Sequence, residues 1–297
     1  MGIVEQFRNW QQNARHVLSI NHRNLGYVYG YNERRDFVYA DDKVLAKELL
    51  SKAGVPVPQT YFLVESFYAV GRIDQPLNEL DDFVIKPAQG RGGGGIMVIV
   101  GKDDNGWKSA SNKSIARDTI KRHVADIVFG NHSFDKSDVA IFEERLIAAE
   151  LMQELSPWGI PDVRIIAFKD QLKMAMCRIP TESSGGRANL HQGALAIGLD
   201  LKTGRSTHAI HRNRPVTHHP DHGKPLIGLN IPFWDQVIEI ARLCAENTPL
   251  KYLGVDIAIT VDGPRVLEVN ARPGLAIQLA NDQGLYSLLL NAGDGAL

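Results

Sequence analysis

The sequence feature that most constrains this chain is a cluster of glycines between two β-forming runs. In IKPAQGRGGGGIMVIV, residues 85–100, five glycines fall within six consecutive positions. Glycine has no Cβ atom, so this segment disfavours a helix or a strand interior and favours a turn that can approach a ligand closely. The flanking runs FVIK and IMVIV are rich in β-forming residues. The pattern therefore predicts a β-hairpin with a glycine tip.

Known phosphate-binding loops help to interpret this tip. Gly90, Gly92 and Gly95 match the G-x-G-x-x-G spacing, but that motif needs a helix directly after the loop, and a β-forming run follows here. A Walker A loop ends in Gly-Lys-Ser/Thr, whereas Lys86 precedes the glycines. Two interpretations remain. Either the tip binds nucleotide phosphates through its amides with Lys86 beneath them, or it is a mobile surface hairpin with a snorkelling lysine.

Three oxygen-bearing side chains, Asp256, Glu268 and Asn270, lie in the segment GVDIAITVDGPRVLEVNARPG. If residues 262–264 form a hairpin turn, Asp256 lies opposite Asn270, and Glu268 shares the face of Asn270 by the two-residue strand period. Two carboxylates and an amide suit Mg²⁺, which binds through one or two carboxylates and nucleotide phosphates. A solvated strand face is the alternative, but the apolar neighbours predict buried strands, where unpaired carboxylates are costly.

Helical and strand patterns occur throughout the chain. Asp41 and Asp42 can cap a helix that begins at Lys43 and ends at Gly54. Further helices are predicted over 114–130 and 233–245, and strands over FVIK, IMVIV, VAIFEERLI, VRIIAF, LKMAMCRI, VDIAITV and RVLEVN. This mixture predicts an α+β or α/β fold.

Composition excludes several classes of protein. With 297 residues and a net charge of -1, the chain lacks the basic excess that is typical of nucleic-acid binding. No run approaches the ~18 apolar residues of a spanning helix, so membrane insertion is not expected. Cys177 and Cys244 do not form a disulfide framework, which predicts a cytoplasmic protein. Small molecules or proteins are the expected partners.

Taken in order, these motifs resemble the ATP-grasp ligases, and in particular the RimK-type carboxylate-amine ligases and their α-L-glutamate-ligase-like members. The resemblance covers roughly residues 38–285 and rests on DDK, VIKPAQGRGGGG, FEERL, PDVRIIAF, GRANLHQGA, GVDI and LEVNARPG. It implies an α+β ATP-grasp fold, in which two α+β subdomains clamp ATP between antiparallel sheets. It also implies two Mg²⁺ ions, with Mn²⁺ as an alternative metal, bound by Asp256, Glu268 and Asn270.

The same resemblance implies a phosphate site. Lys43 and Lys86 would bind the α- and β-phosphates as point charges. The backbone of the loop would cover the phosphates through Gly92, Gly93, Gly94 and Gly95.

An adenosine site follows from the resemblance as well. Glu143 would accept a hydrogen bond from the adenine amino group, and the backbone of Glu144 and Leu146 would complete the adenine edge. Asp162 would bind the ribose hydroxyls. As the alternative, Glu143 and Glu144 are ordinary exposed charges.

For catalysis, the resemblance implies that Arg164, Arg178 and Arg187 surround the transferred phosphate, and that Asn189 holds phosphate or substrate. The implied reaction phosphorylates a substrate carboxylate to an acyl phosphate, which an amine then attacks to give an amide, ADP and phosphate. Both steps build negative charge, which fixed cations stabilise. Glutamate or another amino acid would be added to a small molecule or peptide. A small-molecule kinase on the same scaffold and a non-catalytic ATP-binding partner module are the alternatives.

The domain organisation expected from the resemblance is an N-terminal extension over 1–40, a subdomain with the glycine-rich loop over 41–139, and a subdomain with the magnesium site over 140–297. The extension is shorter than the domain that usually precedes this fold. If that domain helps to hold the carboxylate substrate in the relatives, this protein would hold its substrate differently, or with the help of a second copy of the chain or a partner protein. Arg272 is a second departure, because relatives carry a small residue there, and it could select an anionic acceptor.

A histidine-rich loop over 208–222 has two interpretations. His218, His219 and His222 with Asp221 could bind Zn²⁺ or Ni²⁺. The alternative is a solvent-exposed connection with turn residues at Pro220 and Gly223.

Overall fold

The computed structural model describes residues 15–90, 92–104, 106–133 and 136–290. Within these ranges the chain forms two compact units. The first covers residues 41–45 and 57–146, and the second covers residues 15–40, 46–56 and 147–290. Both combine helices with antiparallel sheet, so the fold is α+β, as the sequence predicts.

The first unit contains a sheet in which, among the described residues, six strands lie in the order β1-β6-β2-β3-β4-β5. The strands are β1 (Thr60–Val64), β2 (Phe83–Pro87), β3 (Met97–Asp103), β4 (Gly106–Ser109), β5 (Ser114–Ile115) and β6 (Ala140–Glu143). All neighbouring pairs are antiparallel.

The second unit contains a sheet of seven described strands in the order β11-β10-β9-β8-β7-β12-β13. They are β7 (Asp162–Phe168), β8 (Gln171–Ile179), β9 (Leu195–Leu199), β10 (Ser206–His211), β11 (Arg214–Pro215), β12 (Tyr252–Thr260) and β13 (Gly263–Asn270). Every pairing is again antiparallel. The central strands β7 and β12 are buried at every position, which explains their nearly continuous apolar sequence.

The α-helices are α1 (Ile20–His22), α2 (Tyr29–Tyr31), α3 (Val38–Asp41), α4 (Lys43–Lys52), α5 (Phe67–Val70), α6 (Asp74–Asn78), α7 (Arg117–Val128), α8 (Glu150–Leu155), α9 (Trp234–Asn247), α10 (Ile277–Ala280) and α11 (Tyr286–Leu290). A π-helical segment covers Arg23–Val28, and 3₁₀ turns cover Arg34–Phe37, Glu182–Ser184 and Leu190–Gln192. None of the described helices is long and apolar enough to span a membrane.

A long amphipathic helix packs against each sheet. In the first unit, Ile120, Val124 and Ile127 of α7 are fully buried in a core that includes Phe83 and Phe142 of the sheet. Their spacing of four and three residues places them on one face of the helix. In the second unit, α9 packs on β7, β8, β12 and β13 through its own apolar stripe.

Hydrogen bonds between side chains and backbone join the segment over residues 15–40 to the rest of the second unit. Asn32, only 4% exposed, donates to the Tyr252 carbonyl and accepts from the amides of Lys251 and Tyr252. Gln278 accepts from the Leu18 amide and donates to its carbonyl. The predicted extension over residues 1–40 thus belongs to the second unit wherever it is described, and its residues 1–14 lie outside the described residues.

Two boundaries differ from the sequence-based expectation. The division between the units falls after Leu146 rather than after Val139, because β6 pairs with β1 and β2 of the first sheet. Helix α7 begins at Arg117 rather than at Ser114, because Ser114 pairs with Lys108 of β4.

Candidate functional site

The glycine cluster forms the tip of a hairpin in the first unit, as predicted. Strands β2 and β3 are antiparallel partners, and Ile85 pairs with Met97. Gly92, Gly93 and Gly95 have φ values of 62°, 77° and 75°, with Gly94 between them. L side chains rarely adopt these positive φ values, so the tip needs glycine for its conformation as well as for its bare surface.

Lys86 and Glu143 form a buried ion pair on neighbouring strands. Their Nζ and Oε1 atoms lie 2.6 Å apart, and the two residues are 6% and 4% exposed. Glu143 is therefore not the exposed charge of the alternative interpretation. The resemblance assigns these two side chains to opposite ends of a nucleotide, yet here they contact each other directly.

Lys43 approaches the base of the glycine loop. Its Nζ donates to the carbonyl of Gly90 at 2.7 Å and to that of Ala88 at 3.3 Å. Asp138, which sequence reasoning missed because no motif marks it, accepts from the amide of Gln89 at 3.1 Å through both carboxylate oxygens. Lys43 therefore lies beside the glycine loop, together with which it was predicted to bind the phosphates.

The predicted adenine edge follows β6. The amide of Glu144 donates to the Gln59 carbonyl at 2.9 Å, and its carboxylate accepts from the Gln59 amide at 3.0 Å. The backbone N–H of Glu144 is therefore engaged within the fold. Leu146 is buried, with 7% exposure.

In the second unit, three adjacent strands bring a cluster of charged residues together. Arg164 on β7 contacts Asp256 on β12 with two hydrogen bonds of 2.7 and 2.6 Å. Arg178 on β8 contacts Asp162 with two bonds of 2.6 Å and reaches Asp256 at 2.8 Å. We call Asp162, Arg164, Arg178 and Asp256 the Arg–Asp cluster. Bidentate geometry makes these pairs strong and directional.

The register of the β12–β13 hairpin corrects the prediction. Thr260 pairs with Gly263, and a bulge lets Asp256 pair with Glu268 instead of Asn270. The side chains nevertheless converge. Asn270 Nδ2 lies 3.0 Å from Asp256 Oδ2 and 3.2 Å from Glu268 Oε1.

Burial and pairing shift the two aspartates of the Arg–Asp cluster in opposite directions. Burial raises the pKa of Asp162 to about 6, against the lowering effect of Arg178. Burial would also raise the pKa of Asp256, but Arg164 and Arg178 together outweigh it and lower that pKa below its usual range. Asp256 is therefore ionised at neutral pH, with its carboxylate bonded to both arginines.

The oxygen donors in this region fit Mg²⁺. Asp256 and Glu268 supply two carboxylates that both lie within hydrogen-bonding distance of the Asn270 amide, and a half-turn of the amide presents its oxygen. Among the described residues there is no group of three or more His, Cys, Asp and Glu side chains that could hold a metal ion. A magnesium site with few protein ligands and additional phosphate or water ligands is consistent with that finding.

Arg187 and Asn189 lie on a loop after β8, and their described contacts do not include the Arg–Asp cluster. Asn189 Oδ1 caps the following 3₁₀ turn by accepting from the His191 amide at 3.0 Å. Arg187 is exposed. Their predicted roles are therefore not reflected in contacts of this structure.

The histidine-rich loop is neither a metal centre within the described residues nor a wholly exposed connection. His219 is 2% exposed, and its ring stacks on His222 at a centroid distance of 3.8 Å. Both rings are nearly parallel to Trp158. Burial lowers the pKa of His219 to about 4, so the His219 ring is uncharged at neutral pH.

The profile of the Sugar-transfer associated ATP-grasp family matches residues 22–294. The chain belongs to this family. Its glycine hairpin, Arg–Asp cluster and converging carboxylates are thus features of an ATP-grasp protein, and the recognition drawn from the sequence motifs is confirmed.

Individual relatives agree with the assignment to the ATP-grasp family. A probable α-L-glutamate ligase of Sodalis glossinidius (strain morsitans) is 25% identical over 266 residues, which cover 88% of this chain and 67% of the relative. The VanG D-Ala:D-Ser ligase from Enterococcus faecalis is 15% identical with a TM-score of 0.53, over 87% of this chain and 62% of that one. The latter likeness shows the shared ATP-grasp fold.

Another solved structure is that of the ATP-grasp ligase PsnB complexed with a phosphomimetic variant of its minimal precursor, Mg and ADP. It is 20% identical to this ATP-grasp chain, with a TM-score of 0.47, over 88% of this chain. The chain spans 60% of the length of PsnB.

Proposed function

We propose that this protein is an ATP-dependent carboxylate-amine ligase. The observation that carries the proposal is the convergence of Asp256, Glu268 and Asn270 beside Arg164 and Arg178 on four adjacent strands. Membership of the ATP-grasp family and the glycine hairpin support it independently.

In the first proposed step, a carboxylate oxygen of the substrate attacks the γ-phosphorus of ATP. An O–P bond forms, the bond from phosphorus to the β-bridging oxygen breaks, and ADP leaves. The glycine tip would hold the phosphates through backbone N–H groups, and Lys43 and Lys86 would supply positive charge. Lys86 can do so by exchanging Glu143 for phosphate, or by sharing its three donors between them.

In the second step, the amine nitrogen attacks the acyl carbon. A C–N bond forms, the C–O bond to phosphate breaks, and phosphate leaves while the amine loses a proton to solvent or phosphate. Arg164 and Arg178 already lie in fixed positions through their bidentate contacts, so they could stabilise the developing negative charge without reorganising. Arg187 and Asn189 would join them from the loop after β8.

Asp256, Glu268 and Asn270 would hold Mg²⁺, with two ions or Mn²⁺ as the forms to test. When bound, the metal would neutralise phosphate charge and orient the phosphates. Glu143, Glu144 and Leu146 are proposed to contact adenine, and Asp162 to contact ribose. The protonation of Asp162 below about pH 6 bears on that role, because only the ionised carboxylate accepts from both hydroxyls.

The substrate class is proposed from two sources. The relative named as a probable α-L-glutamate ligase suggests glutamate as one amine to test. The description of the family as sugar-transfer associated suggests carbohydrates with a carboxylate, such as uronic acids, as acceptors. We place the reaction in the cytoplasm, where ATP is available and where two buried free thiols, Cys177 and Cys244, are stable.

Trapping with hydroxylamine tests the proposal. The protein is incubated with Mg·ATP, hydroxylamine and a panel of amino acids, peptides, di-acids and uronic acids, while phosphate and hydroxamate are followed. A ligase gives a hydroxamate, because hydroxylamine attacks an acyl phosphate. A kinase would give a phosphate ester and no hydroxamate. ATP turnover without a hydroxamate would therefore contradict the proposed ligase. Absence of nucleotide binding would contradict both the ligase and the kinase.

A further inference from the structure

The tip of the glycine loop contacts two histidines that the proposed reaction does not use. His123 Nε2 lies 2.9 Å from the carbonyl oxygen of Gly95. His132 packs beneath the same glycine, since a Cβ atom on Gly95 would lie only 2.7 Å from His132 Cγ. The two rings are neighbours, with centroids 5.8 Å apart. Helix α7 carries His123, and His132 follows the end of that helix.

The chemistry of the contact fixes the state of His123. A carbonyl oxygen only accepts, so Nε2 carries the hydrogen and donates it. Burial lowers the pKa of His123 from its ordinary value, opposed by the Gly95 hydrogen bond, while His132 lowers it and Asp126 raises it. At neutral pH His123 is therefore a neutral imidazole that donates from Nε2.

The base of the loop is also held in place. Lys43 Nζ donates to the Gly90 carbonyl at 2.7 Å, and Asp138 accepts from the Gln89 amide at 3.1 Å. With His123 at Gly95, bonds to neighbouring elements hold both ends of the glycine-rich segment. The backbone between the ends has positive φ at Gly92 and Gly93, a conformation that an untethered chain populates only in part.

We propose that His123 is a positioning residue for ATP, which acts through the Gly95 carbonyl and is supported by the ring of His132. This inference rests on the proposed function of the loop as a phosphate-binding element. His123 does not contact the nucleotide. It orders the loop in advance, so that less conformational entropy is lost when the backbone amides bind phosphate.

Three substitutions separate this role from a general structural one. His123→Gln can place an amide nitrogen near the position of Nε2, whereas the shorter side chain of His123→Asn reaches only about as far as Nδ1. His123→Ala removes the donor altogether. His208→Ala is the matched control, because His208 is a largely exposed histidine of the second unit, with its side chain 53% exposed.

Two readouts are needed. The dissociation constant of a non-hydrolysable Mg·ATP analogue, measured by calorimetry, is expected to rise about three- to tenfold in the Ala and Asn variants, the range that loss of one hydrogen bond allows. The Gln variant is expected to stay within about twofold of wild type on the same scale. In assays with a productive substrate, KM for ATP rises in the Ala variant and kcat at saturating ATP does not change.

Hydrogen exchange of the nucleotide-free protein gives the second readout. Peptides that cover residues 88–98 exchange faster in the Ala and Asn variants than in wild type or His208→Ala. Unchanged exchange in those peptides would overturn the inference even if no substrate were known. Equal analogue affinity of wild type and the Ala variant would overturn the inference alone, and failure of wild type to bind the analogue would overturn the proposed function with it.

Discussion

The two carboxylates proposed as metal ligands have different surroundings, and this difference can be measured. Asp256 is 1% exposed and accepts hydrogen bonds from Arg164, Arg178 and Asn270. Glu268 is only partly buried, and it accepts a hydrogen bond from Asn270. We therefore expect Asp256 to contribute to both folding and metal binding, and Glu268 to contribute mainly to metal binding.

The expected loss of stability in each variant follows from the balance of buried charges. Asp256→Asn leaves two buried arginines with Asp162 as their paired carboxylate, and breaking a buried pair costs about 3–5 kcal/mol. Glu268 still acts on Arg178 electrostatically, so the expected loss of stability lies near the lower end, about 3 kcal/mol. In Glu268→Gln the amide oxygen can still accept from Asn270, and the expected loss is below about 1 kcal/mol.

The assay is urea unfolding at pH 7 without divalent cations, combined with hydrogen exchange of peptides from β7 and β12. A double variant, Arg164→Gln with Asp256→Asn, keeps the bidentate pair of Arg178 and Asp162 and leaves no buried charge unpaired. It should be more stable than Asp256→Asn alone. Mg²⁺-dependent ADP formation should be lost in both Asp256→Asn and Glu268→Gln.

Two results would refute this reasoning separately. Equal stability of Asp256→Asn and Glu268→Gln would show that the arginine contacts do not stabilise the second sheet. Full Mg²⁺-dependent turnover in Glu268→Gln would remove Glu268 from the proposed metal site. Because the first measurement needs no substrate, it remains informative while the substrate is being sought.

Three further predictions address other parts of the chain. Gly93→Val should raise KM for ATP about tenfold or more, because a β-branched residue is strained at the Gly93 φ of 77°. An unchanged dissociation constant for the non-hydrolysable Mg·ATP analogue would contradict the role of the loop. Asn32→Ala should lower the free energy of unfolding by about 3 kcal/mol, since it removes three hydrogen bonds of about 1 kcal/mol each, two of them buried and one, from the Lys251 amide, part-buried. A free energy of urea unfolding within about 0.5 kcal/mol of wild type would refute this. Arg272 is exposed, and its guanidinium carbon lies 4.6 Å from the centre of the Phe37 ring. If its positive charge selects an anionic substrate, Arg272→Gln should reduce the ratio of kcat/KM for glutamate to kcat/KM for glutamine by about tenfold, and an unchanged ratio would reject that selection.

Features that depend on neighbours in the chain were predictable from the sequence. The hairpin could be predicted from a run of glycines between two runs of β-forming residues, and both strands are present in the structure. Helix α4 begins at Lys43 because Asp42 Oδ1 accepts from the amides of Val44 and Leu45, at 2.9 and 3.2 Å. Such capping is visible in a few letters of sequence.

The register of the β12–β13 hairpin was not predictable in the same way. The turn is one residue tighter than assumed, and Leu267 is left unpaired by the bulge. Bulges reflect packing of the whole sheet rather than a local motif. Asp256, Glu268 and Asn270 still converge, because the bulge changes which residues are opposite without moving Glu268 and Asn270 to different faces.

Contacts across long stretches of chain were the least accessible. Arg164 and Asp256 are separated by 92 positions, and only the pairing of β7 with β12 reveals that they bond. The resemblance assigned the arginine to phosphate, and the aspartate was predicted to bind metal, so the two side chains were expected to bind separate ligands. The hydrogen bond from His123 to Gly95 was not predictable for the same reason. The helix pattern around His123 and the glycine motif are separate in the sequence, and neither indicates a contact with the other.

These contacts imply that the proposed ligand-binding charges in each unit are already balanced. In the first unit Lys86 is neutralised by Glu143, and in the second unit the arginines are neutralised by Asp162 and Asp256. Buried charges need such partners, because an isolated one is costly to desolvate. In the proposed function, phosphate or metal exchanges with these internal partners or shares their charged groups, so the affinity for each ligand includes the change in the existing ion pairs. Substitutions that remove an internal partner should consequently change ligand affinity as strongly as substitutions of the ligand-binding residue itself, and this expectation applies to Glu143 and Asp162.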